Sequence, residues 1–215
     1  MTRLHIGVTP AFLAALFCAV MMFTACDTSS APTKTAEEAK PAKKEPSLYS
    51  GMQAFNTMNA LAMKWAPDAT PVRLESRVND ESNGQGGKST VWRAGFISPS
   101  RHQLKFFVCS GSRLPGAPPY GVSSDIETAY ESAVARMAFP SFLLKVDSDK
   151  AYEVAQQHGG EAVLKKNPQQ PVLYVLLFTP GKNALYWNVI YGTEQKTSGA
   201  GIIHATTGAW VGASK

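Results

Sequence analysis

The side chains able to do chemistry in this 215-residue chain are few and far apart. His102, His158 and His204 are scattered. None shows the H-E-x-x-H or H-x-H spacing that would set two imidazoles on one metal ion. Asp147 and Asp149 stand where a helical pattern begins, and their charges suit a helix N-terminus better than an acid–base pair. Gly86-Gly87-Lys88-Ser89-Thr90 imitates the end of a phosphate-binding loop. Ser82 stands where that pattern needs its first glycine, and a strand follows where a helix N-terminus is required. No G-x-S-x-G or S-x-x-K occurs. Cys109 lies in an apolar strand pattern with no histidine beside it in sequence to activate it. No catalytic residue, metal ligand or cofactor is expected. An enzyme or small-ligand carrier with a site dispersed between two units stays the alternative.

A different chemistry stands at the N-terminus. Arg3 precedes an uninterrupted apolar run over 11–23, followed by Thr24-Ala25-Cys26. The run suits a secretory signal and is too short to span a bilayer comfortably. Phe23-Thr24-Ala25-Cys26 resembles the lipobox of bacterial lipoproteins. That resemblance implies removal of residues 1–25 as a lipoprotein signal peptide and acylation of Cys26. An ordinary signal cut near Ala25 is the competing reading. Cys18 is preceded by bulky Phe17, which does not fit the cut. Two or three acyl chains anchor a protein stably where one does not. Lipidation, palmitate included, would therefore hold the protein at the cell envelope, facing the periplasm or the exterior. With Cys18 removed and Cys26 acylated, Cys109 is left as the lone thiol, so no internal disulfide is expected.

Residues 26–46 are rich in Ala, Lys, Glu, Pro, Ser and Thr and contain no aromatic or branched aliphatic side chain. Such a segment cannot bury enough apolar surface to order itself, and it reads as a disordered tether. The whole chain is 44% apolar and 17% charged with a formal net charge of +5. That excludes collagen-like and wholly disordered classes. The positive charge is too dilute to imply nucleic acid.

The folding part begins with Leu48, Met52, Phe55, Met58, Ala62 and Trp65, spaced as one face of an amphipathic helix that Pro67 stops. Strands are expected over 71–78, 89–97 and 102–110, with a long hairpin loop over 79–89 and a Pro/Gly-rich loop over 111–121. Ser124 and Glu127 have capping-box spacing, which predicts a helix from Ser124 to the stop at Pro140. A helix over 147–160, further helical turns over 161–168, and strands over 171–178, 184–192 and 198–208 complete the chain.

The two halves run in parallel. Ala54-Phe55 corresponds to Ala151-Tyr152, Pro71-Val72 to Pro171-Val172, Trp92 to Trp187 and Ser110-Gly111 to Thr207-Gly208, at offsets of 97, 100, 95 and 97. Near-constant offsets through helix and strands suggest an internal duplication. The fold class expected is α+β, two similar units over 47–122 and 123–215. Each would pack helices on an antiparallel sheet of three or four strands. The second unit resembles PepSY and PepSY-like domains through Leu173-Tyr174-Val175, Trp187-Asn188-Val189 and His204-Ala205-Thr206-Thr207-Gly208, with His204 in place of the family's usual Asp. The resemblance implies a tandem architecture similar to β-lactamase inhibitor proteins. It also implies regulation or inhibition of an extracytoplasmic protein, peptidases above all, with no catalytic residues.

Strand alternation then suggests a binding face. With Leu104, Phe106 and Val108 turned toward the first helix, Arg73, Arg77, Arg93 and Lys105 share the other face with Phe107. Arginine beside aromatics is what protein interfaces favour. In the second unit that face carries Leu173, Val175, Leu177, Tyr186 and Ile190. It is either covered by other parts of the chain or open as an apolar patch. The expected function is a lipid-anchored, non-enzymatic protein-binding module. A structural spacer between envelope layers is a further reading.

Overall fold

The computed structural model describes residues 45–193 and 196–214. The signal, Cys26 and nearly all of the tether lie outside the described residues.

A short strand β1 (Tyr49–Ser50) leads directly into helix α1 (Gly51–Trp65). Ser50 is its N-cap and Gln53 completes a capping box, so two of the helix's orphan N–H groups are satisfied at once. Ala54, Phe55, Met58 and Ala62 form the buried face. Leu48 lies before the helix and is half exposed. At the other end the Ala66 N–H returns to the Ala62 carbonyl, and Pro67 prevents continuation.

Strands β2 (Thr70–Arg77), β4 (Val91–Ser98) and β5 (Gln103–Ser110) follow as expected. Between the first two, β3 (Lys88–Ser89) pairs with β1. Helices α3 (Ser148–Ala155) and α4 (Glu161–Lys166) precede β8 (Val172–Thr179), β9 (Ala184–Gly192) and β10 (Thr197–His204). A final strand, β11 (Trp210–Ser214), was not expected and pairs with β10. One sheet joins the halves in the order β11-β10-β9-β8-β2-β4-β5, with one further short strand beyond β5. The halves meet through their first strands, β2 and β8, where Leu74 pairs with Leu176 and Glu75 with Val175.

The helix expected from Ser124 is absent. Gly121–Ser124 is instead an edge strand, β6, with Ser123 opposite Val108 and Ser124 opposite Phe107. Thr128–Ala129 forms β7 on the same strand, and only Ser132–Ala135 makes one helical turn, α2. Two local demands override the capping pattern. The outer edge of β5 offers backbone groups that need partners. The acidic groups are drawn to cations, Asp125 to Arg93 at 3.0 Å and Glu127 to Arg101 at 2.8 Å. Ile126, placed by periodicity on an apolar helix face, is 87% exposed.

The core lies between the helices and one sheet face. Trp92 and Trp187 meet edge to face at 6.3 Å, and Tyr174 lies against Trp92 with 6.0 Å between ring centres. The same hydrogen bonds recur at the head of each half. Trp92 Nε1 donates to the Tyr49 carbonyl at 2.9 Å, and Trp187 Nε1 to the Val146 carbonyl at 2.8 Å. Gly111 N–H donates to Thr90 O while its own carbonyl accepts from Ser47 N–H. Ala205 N–H donates to Leu185 O while its carbonyl accepts from Lys145 N–H. By these bonds Gly111 corresponds to Ala205, not to Gly208.

The loop between β2 and β4 also enters the core. Tyr174 Oη donates to the Gly84 carbonyl at 2.7 Å and accepts from the Gly87 N–H at 3.1 Å. Ser148 Oγ donates to the Gly87 carbonyl at 2.6 Å. A hydrophilic, glycine-rich stretch thus acts as a wedge against α3 and β8.

Candidate functional site: the open sheet face

Helices α1, α3 and α4 all pack on one face of the sheet. Phe55 of α1 stacks on Phe96, and a Cβ on Gly201 would meet the Ala155 Cβ of α3 at 3.4 Å. Alternation puts Arg73, Glu75, Arg77 and Arg93 on the opposite face, together with Leu173, Leu177, Tyr186, Ile190 and Ile202. These apolar side chains stay partly exposed, so the second-half patch is open.

Among the described residues, Glu75 is the only acidic one in any strand of the sheet. Three guanidinium groups converge on its carboxylate. Arg73 Nε lies 2.6 Å from Oε2, and Arg77 Nη2 and Arg93 Nη1 lie 3.8 and 3.9 Å from Oε1. Arg93 also reaches Asp125 and lies flat on Phe106, 3.6 Å from the ring centre. Such a stacked arrangement with two carboxylates suits arginine and not lysine.

Two expected members of the site belong elsewhere. Phe107 is 4% exposed and packs edge to face on Phe96 and Trp65, on the helix side. Lys105, opposite Phe96 in the ladder, also stands on the helix side, 3.7 Å from Glu127 and 5.8 Å from the Trp65 ring centre. Leu104-Lys105-Phe106-Phe107-Val108 carries apolar residues in both phases, so alternation alone could not choose between them. The ladder with β4 decides, because Trp92, Ala94 and Phe96 must all face the helices. Phe106 is therefore the aromatic member of the site. Glu75 and Asp125 complete it. Glu75 could have been found from its parity with Arg73 and Arg77. Asp125 could not, because its position depends on an edge strand read as a helix.

A cleft of about 430 Å³ opens on this face at the seam, lined by Arg73, Glu75, Ser76, Arg77, Val78, Leu173 and Thr193. Its cause is local. The Ser76 hydroxyl accepts the Tyr174 N–H at 2.9 Å, and the β2–β8 ladder extends over only two residue pairs. At the far side of the patch His204 packs edge to face on Tyr186 at 5.3 Å. Its Nδ1 accepts the Thr206 N–H at 3.2 Å, the bond to the residue two ahead that an Asp makes in such a turn.

The other chemically capable groups are spread out and engaged. Cys109 is buried, and desolvation pushes its thiol up to about 11. His158 stacks on Trp210 at 4.4 Å and bonds through Nδ1 to the Val154 carbonyl. His102 occupies the left-handed position of the β4–β5 turn. Among the described residues no group of His, Cys, Asp or Glu is placed to hold a metal ion. No described helix is long and apolar enough to cross a membrane.

No family model matches the sequence, and no curated protein matches it significantly. Among solved structures the chain is similar to a crystal structure from Clostridium difficile 630, of a protein provisionally named as a lipoprotein. The TM-score is 0.51 at 11% identity, over 75% of this chain and 91% of that one. At that identity the likeness is one of fold.

Proposed function

We propose that this is a lipid-anchored protein of the bacterial cell envelope that works by binding another extracytoplasmic protein through its open sheet face. The observation that carries the reading is the face itself, where a partly exposed apolar patch adjoins an arginine cluster. Patches of that composition are typical of protein interfaces. Binding is favoured over catalysis because the capable side chains have other employment: Cys109 is buried, His158 is stacked and His204 caps a turn.

Anchoring rests on Cys26 behind Thr24-Ala25 and on the apolar run before it. The shared fold with a protein named as a lipoprotein agrees with it. We further propose that the fold arose by duplication of a PepSY-like helix-and-three-strand unit. The recurring tryptophan and backbone hydrogen bonds support this, as does the meeting of the first strands at Glu75 and Val175.

The test is site-specific photocrosslinking in intact cells, with the photoreactive residue at Tyr186 on the open face and at Glu153 on the helical side. A discrete adduct from position 186 alone is the expected result. Identical adducts from both positions, or none from either, would overturn the reading.

A further inference from the structure

The open face is electrostatically one-sided. Against Glu75, the sole acid of the described strands, stand Arg73, Arg77 and Arg93, and Asp125 from the edge offsets only part of the excess. Lys182 adds a further cation beside Tyr186, 5.8 Å from its ring centre. Glu75 demonstrates the chemistry of the cluster, since a carboxylate placed there meets three guanidinium groups. Immediately beside it the seam cleft passes from Arg77 to Leu173, and the apolar patch continues to Tyr186.

We infer that the partner presents an acidic, apolar polypeptide segment to this face. Its carboxylate takes the place of Glu75 against Arg77 and Arg93, and the flanking apolar side chains settle on Leu173, Leu177 and Tyr186. Glu75 then acts as an internal competitor that keeps the arginines paired until the partner arrives. Charge-assisted bonds at a partly desolvated cluster give orientation and encounter rate, while the apolar patch holds the complex. The inference rests on the protein-binding reading above.

The experiment uses the full chain in detergent micelles and a labelled synthetic peptide of alternating Glu and Leu, with its Gln–Leu counterpart as control, read by fluorescence anisotropy. The acidic peptide should bind about tenfold tighter or better, and lose that advantage in high salt. Arg77→Glu should abolish the preference. Glu75→Gln should tighten binding several-fold, a gain that misfolding cannot produce. Equal binding of both peptides, or weaker binding by Glu75→Gln, overturns the inference. So does binding of phosphatidylglycerol vesicles, lost in Arg77→Glu, without binding of the acidic peptide. A dimer that Arg77→Glu dissolves in sedimentation assigns the face to a second copy and also overturns it. A crosslink at position 186 without acidic preference sinks this inference and leaves the binding reading standing.

Discussion

Ser50 Oγ donates a hydrogen bond to Asp147 Oδ2 at 2.5 Å, so the N-caps of two helices 97 residues apart hold each other. The other oxygen, Oδ1, accepts the Met52 N–H of α1 and the Ser148 N–H of α3. One carboxylate therefore serves two helix N-termini, whose exposed N–H groups and aligned dipoles both favour negative charge.

Asp147→Ala should therefore cost more than an ordinary cap. A lost cap is worth about 1 kcal/mol, and a further unpaired, partly buried donor adds about 1–3 kcal/mol. We expect roughly 3 kcal/mol for Asp147→Ala and about 1 kcal/mol for Ser50→Ala. Urea unfolding followed by circular dichroism checks both. Equal losses would mean that the carboxylate serves one helix only.

Trp92 and Trp187 should be coupled. Each indole donates to a backbone carbonyl just ahead of a helix, and the two rings touch. Replacing either by Phe leaves a partly buried carbonyl short of its donor and alters the shared contact, costing about 2 kcal/mol. The double variant should depart from additivity by about 0.5 kcal/mol or more, as neighbours in contact do. A double-mutant cycle measures this, and strict additivity would refute energetic contact between the halves at that point.

Much of this framework was legible in the sequence. Its main strands and α1 announce themselves by clean period or by punctuation such as Pro67 and Pro180-Gly181, and Trp92 and Trp187 recur 95 residues apart. What was not legible depended on long-range pairing. The phase of Leu104–Val108 is set by β4 across the ladder. Ser124 becomes strand because β5 has a free edge and Arg93 attracts Asp125. The loop over 79–89 reads as a long hairpin loop, yet Tyr174, invisible from that distance in sequence, draws it inward.

That wedge can be tested with two neighbouring glycines. Gly86 and Gly87 both have positive φ, 74° and 77°. A Cβ on Gly86 meets open space, whereas one on Gly87 falls 2.1 Å from the Asp149 backbone. Gly86→Ala should cost about 1–2 kcal/mol, the left-handed penalty alone. Gly87→Ala must push α3 away from the loop, and we expect a cost above about 3 kcal/mol or failure to fold. Similar thermal midpoints for the two variants would show that the loop is not packed as described.

The acyl anchor proposed at Cys26 predicts that Cys26→Ser frees the protein from membranes, because the thiol that would take the lipid is gone. Fractionation of cells expressing each form is the measurement. Retention of the substituted protein in the membrane pellet through a high-salt wash would rule out the acyl anchor.

Cys109 supplies a pH dependence with a definite sign. Burial favours the neutral thiol and moves it from 9.0 to about 11. Between those values the unfolded chain releases a proton that the folded chain keeps. The unfolded state then binds fewer protons, so stability falls as pH rises through that window and is fully present below it. Tyr191, also raised by burial and held by Gln156, adds to the same trend at still higher pH. Urea midpoints should drop from about pH 8.5 to about pH 10.5, a range chosen to straddle the shift. Cys109→Ala should lessen that drop, since it removes the thiol's share of the effect. In the native state at about pH 8 the thiol should resist a thiol-specific disulfide reagent and react only on unfolding. Rapid labelling of the folded protein would show that Cys109 is not sealed between the sheet and α1.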